Sequence, residues 1–115
     1  MTSYDKGLWA ERLCMLVLRL KGYRILEKRY KTKMGEIDII AKRFKTLVFV
    51  EVKMRKSIDD AAEAVTHKNQ RRVIRAAEMF LNRSVHDRSC VLRFDVMLVS
   101  SEKMWPTHIQ NAFQA

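Results

Sequence analysis

Proline and glycine are scarce: one proline and three glycines in 115 residues. That scarcity excludes long flexible linkers, collagen-like repeats and low-complexity tracts, so most of the chain is expected to fold. Cysteine is nearly absent too, and a single possible pairing of Cys14 with Cys90, each inside an apolar stretch (LCML and CVLRF), makes no disulfide framework. Both read as small core residues of a reduced protein. No apolar run approaches the ~18 residues of a membrane span. The start, MTSYDKGLWAERL, lacks the basic segment and apolar run of a signal peptide. A cytoplasmic address with no membrane partner is therefore expected. His67, His86 and His108 have no paired spacing and no nearby cysteine cluster, which argues against a zinc site. No glycine-rich loop is present to cradle a nucleotide phosphate, and Ser57 and Ser84 have no base partner visible in sequence.

What is abundant is positive charge. Lys and Arg number 23 against 13 Asp and Glu, a formal charge of +10. Such an excess favours a polyanionic partner, although a basic solvated surface serves solubility as well. The hydrophobic fraction of 48% is that of a globular protein, and the length suits one domain over residues 1–115 with one core.

Over residues 8–20, Trp9, Leu13, Leu16, Val17 and Leu20 recur at three- and four-residue spacing before Gly22, which predicts a helix. Ala10, Cys14 and Leu18 make its other faces apolar, so the helix is expected to be largely buried, and an ionisable Glu11 within it is unusual. Residues 23–31, 36–42 and 46–54 read as three strands from their β-branched and aromatic content. Capping residues at 57–60 open a long helix over 61–81, and 90–99 is a fourth strand. Residues 105–113 carry no pattern that assigns them. The order α-β-β-β-α-β predicts an α/β domain with a mixed central sheet flanked by helices.

The second and third strands allow a register calculation. Opposing Asp38 to Glu51 also opposes Glu36 to Lys53 and puts the reversal between Phe44 and Lys45, a sterically reasonable turn. Strand alternation then sets Glu36, Asp38, Phe49, Glu51 and Lys53 on one face and Ile37, Ile39, Val50 and Val52 on the other. Two facing carboxylates repel, and a hard divalent cation suits the space between them, since Mg²⁺ takes oxygen ligands and is held by one or two carboxylates plus substrate phosphate. Lys53 on the same face could stabilise charge on a phosphate or orient an attacking water. The same charges also fit a solvated salt-bridge cluster. Against that alternative stand the almost continuous apolar runs Ile39-Ile40 and Leu47-Val48-Phe49-Val50, which suit strands covered on both faces. Downstream, Lys68, Arg71, Arg72 and Arg75 lie at i, i+3, i+4 and i+7 on one helical face; they could line a phosphate backbone, or keep an exposed face soluble.

The segments Gly7-Leu8-Trp9-Ala10-Glu11, Gly35-Glu36-Ile37-Asp38-Ile39-Ile40, Phe49-Val50-Glu51-Val52-Lys53-Met54-Arg55, Lys68 with Arg71-Arg72, Arg93-Phe94-Asp95-Val96 and His108-Ile109-Gln110-Asn111-Ala112-Phe113 run nearly end to end. With them the chain resembles the UPF0102 family of small bacterial proteins, regarded as endonuclease-like and sharing the restriction-endonuclease-like fold with archaeal Holliday junction resolvases. The resemblance implies the PD-(D/E)xK roles: Asp38 and Glu51 as ligands of Mg²⁺, for which Mn²⁺ substitutes, and Lys53 as the catalytic lysine. The proline of the class name is Ile37 here. Glu11 matches the additional acid of resolvase-like members; pairing with Arg12 or Arg19 is its structural alternative. Lys68 matches a family position, and Arg55 is a further candidate phosphate contact. Glu36 would serve the turn or pair with Lys53, and Arg93 with Asp95 reads as a structural ion pair. The implied activity is Mg²⁺-dependent hydrolysis of phosphodiester bonds in DNA, branched or structured DNA included; resolvase-like relatives act as homodimers, while nothing in this sequence fixes an interface. The alternative is a nucleic-acid-binding module that keeps the fold and cuts little.

Overall fold

A computed structural model describes residues 2–84 and 87–115; His86, set aside above as a zinc ligand, lies outside them. Helix α1 (Ser3–Leu20) is followed by strands β1 (Arg24–Lys31), β2 (Glu36–Arg43) and β3 (Thr46–Arg55). Helices α2 (Ile58–Glu63) and α3 (His67–Arg83) then lead to β4 (Val91–Ser100) and β5 (Lys103–Phe113). The strands form one mixed sheet in the order β1-β2-β3-β4-β5. β1, β2 and β3 are antiparallel neighbours, β3 and β4 are parallel, and β4 and β5 are antiparallel. This is the expected α/β architecture with a fifth strand added at the edge. Among the described residues no helix is long and apolar enough to cross a membrane.

Each face of the sheet carries its own apolar cluster. On one, Ala10, Cys14, Val17 and Leu18 of α1 pack on Ile39, Val48, Val50 and Met97. On the other, Val73, Ala76 and Phe80 of α3 pack on Ile40, Leu47, Phe49 and Phe94. Phe49, Phe94 and Phe113 stack in series across β3, β4 and β5. Covering on both faces explains why the central strands are apolar at successive positions and do not alternate.

Several expectations are corrected. α1 starts at Ser3, because Thr2 and Asp5 form a capping box that satisfies the first turn. The helix is not largely buried: its core line is Ala10, Cys14, Val17 and Leu18, while Trp9, Leu16 and Leu20 of the expected apolar face are exposed. The single helix over 61–81 is two. Thr66 stops the first and caps the second, its hydroxyl accepting from Asn69 N–H at 3.2 Å, and the Asn69 amide donates to the Ala64 carbonyl at 3.1 Å. β-Branched Val65 and Thr66 favour such a break. The segment left unassigned is β5, whose Pro106 is tolerated on an edge strand. Cys14 is fully buried, and burial with the charges of Asp38 and Glu11 pushes its thiol up to about 12. Cys90 is only half-buried, just ahead of β4.

One strand over from the β2–β3 opening, where Asp95 pairs with Val50, a polar network ties β4 and β5 to the segment after α1. Arg93 grips the fully buried Asp95 with Nε at 2.8 Å and a second nitrogen at 2.9 Å, and also donates to the Tyr23 hydroxyl. His108 Nε2 meets Asp95 Oδ2 at 2.8 Å, while its Nδ1 accepts from the Lys21 ammonium at 2.8 Å, which places the ring proton on Nε2. Asn111, with φ of 52°, turns its N–H onto Asp95 Oδ1 at 2.9 Å. The expected Arg93–Asp95 ion pair is thus part of a larger knot. Burial alone would raise the Asp95 pKa; donors from His108, Arg93 and Asn111 outweigh it and hold the carboxyl below its usual range.

Removing one member of this knot strands the others. Asp95→Ala should lose about 3–5 kcal/mol in urea unfolding, the cost of leaving buried charges unpaired. In the parent protein, a carboxyl with a depressed folded pKa contributes stability above its unfolded pKa, near 3.8. That contribution should vanish as pH falls through the lower folded value, a slope absent from the variant.

Candidate active site

β2 and β3 remain paired from Arg43 opposite Thr46 up to Ile39 opposite Val50, in the register that sets Asp38 against Glu51. One step further the ladder stops. There the Val52 N–H is donated to Asp38 Oδ2 at 2.8 Å. On the other side of β2, the pairs Lys28–Ile39 and Tyr30–Ile37 flank Arg29 and Asp38, which form no pair. Arg29 has φ of 51°, a left-handed conformation that a non-glycine residue adopts only when its surroundings impose it.

These irregularities break the alternation at Asp38. Ile37 packs in the α3-side cluster with Phe49, whereas Ile39 and Val50 pack on the α1 side. The expected grouping of Ile37 with Ile39, Val50 and Val52 is corrected accordingly. The strand kinks where a carboxylate takes the N–H that a regular ladder would satisfy, and the kink brings Asp38 within the fields of both Glu51 on β3 and Glu11 on α1.

A cavity of about 200 Å³ opens at this point, lined by Glu36, Asp38, Glu51, Lys53, Asn69 and Arg72 together with Val52. Glu51 is buried, only 9% exposed. Burial, then the hydrogen bond to the Asp38 carboxyl and the Asp38 charge, push the Glu51 carboxyl up to about 9, with Lys53 pulling the other way. Two carboxyls crowded in this way are the arrangement that a compensating cation relieves. Among the described residues no three His, Cys, Asp or Glu side chains gather as a metal cage. The acid pair supplies two oxygen donors, the number with which Mg²⁺ is commonly held beside substrate phosphate.

Glu11 reaches the same region from α1. Its Oε1 accepts from Arg29 Nε at 3.0 Å, so its partner lies across the fold and is neither Arg12 nor Arg19, both exposed. Burial raises the Glu11 pKa, the Arg29 hydrogen bond offsets part of this, and the Asp38 charge adds to the rise. A second cavity, about 210 Å³, joins Glu11, Arg29, Glu36 and Asp38 with Tyr4 and Lys31. Arg29 also lies over the Tyr4 ring, 5.4 Å from its centroid. Glu36 is exposed and makes no ion pair with Lys53 among the described residues.

Of the basic residues expected on one helical face, Arg72 reaches the acid cavity, and Lys68, Arg71 and Arg75 stand exposed on α3. Arg55 lies at the end of β3, in a neighbouring cavity with Lys53. Asn69, Arg29 and Tyr4 escaped the sequence reading. Asn69 could have been found from its place three residues before Arg72; Arg29 and Tyr4 carry no such signal. Gly35 seats α3 against the β1–β2 turn: a Cβ there would lie 2.4 Å from the Arg72 carbonyl oxygen. The turn is locked by Thr32, whose hydroxyl donates to the Gly35 carbonyl at 2.8 Å and accepts from Gly35 N–H at 3.0 Å.

The model of a family described as "Uncharacterised protein family UPF0102" matches residues 10–99. The chain belongs to the UPF0102 family. A UPF0102 protein of Nitrobacter winogradskyi is 47% identical over 113 residues, covering 98% of this chain and 95% of that protein. One of Parvibaculum lavamentivorans is 46% identical over 114 residues, covering 99% and 85%. UPF0102 protein mlr4633 of Mesorhizobium japonicum is 44% identical over 111 residues, covering 96% and 88%. The family match spans Glu11, Asp38, Glu51, Lys53, Asn69 and Arg72 of this UPF0102 protein.

Two outcomes follow from the site's geometry and charge. Gly35→Ala should cost about 1–3 kcal/mol in chemical denaturation, the usual penalty for overpacking, and should shift the amide resonances of Asn69 and Arg72 as α3 lifts. A carboxyl whose folded pKa is raised favours folding fully below its unfolded value and loses that contribution as pH rises towards the folded one, here from near 4.5 to about 9. Glu51→Gln should therefore unfold at a higher denaturant midpoint than the parent at pH 8, with the difference closing at pH 4.5.

Proposed function

We propose that this protein is a divalent-metal-dependent endonuclease that hydrolyses phosphodiester bonds in DNA, branched or structured DNA included. The observation that carries this reading is the acid pair at the end of the β2–β3 ladder. Asp38 and Glu51 meet there with a carboxyl pushed up to about 9, and Lys53 and Arg72 share their cavity. A structural salt bridge would put a cation between the acids. Here two carboxyls face each other and the cations stand around them, as an incoming phosphodiester and its metal require.

Asp38 and Glu51 would hold Mg²⁺ or Mn²⁺, which when bound would polarise the phosphoryl oxygen and lower the pKa of the attacking water. Asp38 is aimed by the Val52 N–H, which fixes one carboxylate oxygen and holds the carboxyl beside Glu51. Lys53 places an ammonium beside the acids to stabilise negative charge growing on the phosphate oxygens or to orient the water. Arg72 offers a planar fork for a non-bridging phosphate oxygen pair. Glu11, gripped by Arg29, adds an acid in the neighbouring cavity that it shares with Glu36 and Asp38. Lys68, Arg71 and Arg75, together with the net charge of +10, would track the phosphate backbone leading to it. Those exposed cations also support a second reading, a binding module that cuts little.

Purified protein incubated with plasmid, single-stranded and four-way-junction DNA in Mg²⁺ or Mn²⁺ should nick or cut at least one of them. Asp38→Ala and Glu51→Ala should each reduce the rate by at least about 10³-fold, and Lys53→Ala by about 10²–10³-fold. Cleavage unchanged in the acid variants would remove the assigned site. Salt-dependent binding of every substrate without cleavage would leave the binding module.

A further inference from the structure

A larger cavity, about 600 Å³, lies between the start of α1 and the end of β3, and it shares Lys53 and Val52 with the acid cavity. We propose that it is a subsite for one unpaired nucleotide adjoining the phosphodiester that is cut, so that the preferred substrate is a single-stranded or frayed strand. This rests on the hydrolytic reading of the acid cavity and narrows its substrate class.

Three observations support the assignment. Lys6, Lys53, Arg55 and Lys56 border the cavity, against the lone acid Glu11, which is already paired with Arg29. Between these cations the wall is apolar, made by Ala10, Val52 and Met54. A cationic rim over an apolar wall suits an anionic backbone carrying a flat, largely apolar base, and the volume falls within the range of small-molecule pockets. Lys53 faces both cavities, so a strand whose phosphate sits at Asp38 and Glu51 would lead its next nucleotide directly into the larger space.

The third observation is Gly7. It lies inside α1, where glycine weakens a helix. Gly35 is required by the backbone packed against it, whereas a Cβ at Gly7 would meet nothing within 4 Å. Among the described residues no packing accounts for glycine there, and Gly7 lines the cavity. A base held in a duplex cannot enter such a recess without losing its stacking and pairing; an unpaired base loses neither.

The test uses the full chain in EDTA, with fluorescent pentathymidylate and a blunt duplex of equal phosphate count as probes. Pentathymidylate should shift the amide resonances of Gly7, Ala10 and Met54. Gly7→Leu, which fills the recess, should weaken its binding at least tenfold while changing duplex binding less than twofold; Lys56→Glu should also favour the duplex. Gly7→Ala should fold with an unchanged or higher Tm, showing that position 7 tolerates a side chain. Failure of pentathymidylate to bind, or equal losses for both probes in Gly7→Leu and Lys56→Glu, overturns the subsite. Because no cleavage is read, an inactive acid pair leaves this result intact. Conversely, an Asp38-dependent nuclease whose Gly7→Leu variant binds both probes like the parent would keep the hydrolytic reading and lose this one.

Discussion

One hydrogen bond organises the candidate site: the Val52 N–H donated to the Asp38 carboxylate where the β2–β3 ladder ends. A backbone donor in a covered strand must be satisfied, and at this point a side chain meets the requirement. That choice separates the two strands, breaks the alternation between Ile37 and Ile39, and brings Asp38 to Glu51. The left-handed Arg29 completes the kink from the β1 side and directs its guanidinium to Glu11. Residues far apart in sequence therefore converge on one opening in the sheet because the ladder is interrupted there.

The electrostatics have two scales. Across the molecule, cations outnumber acids by ten, and several of them stand exposed along α3. Locally the sign reverses, with Glu11, Glu36, Asp38 and Glu51 crowding one region and raising the pKa of Glu11 and Glu51. A cluster of acids within a positive surround thus reverses the sign of the local field. The second polar knot, around Asp95, has the opposite character: every group finds a donor or acceptor, and its carboxyl is held charged. The contrast separates a structural ion network from a site that remains under tension.

Much of this was legible in the residues. The apolar runs at 39–40 and 47–50 indicate strands covered on both faces, and opposing Asp38 to Glu51 gives the observed register with its reversal at 44–45. The Arg93–Asp95 pair followed from the cost of burying single charges. The errors have specific causes. The pattern over 61–81 reads as one helix, since the weak stop at Val65 and Thr66 acts through a cap, which propensity does not reveal. The strand signal of β5 is diluted by Pro106 and Asn111, and the strand exists by pairing with β4.

The sequence by itself determined the first helix, the strands β1 to β4 and the identity of the acids, because periodicity and side-chain chemistry are local properties. Tertiary structure alone decided which way Asp38 turns, that Glu11 pairs with Arg29, and that Arg72 rather than Lys68 enters the acid cavity. It also decided that Gly35 is held by packing while Gly7 faces open space. Each of these depends on where one element meets another, and such contacts are set by the packing of the whole sheet and its helices.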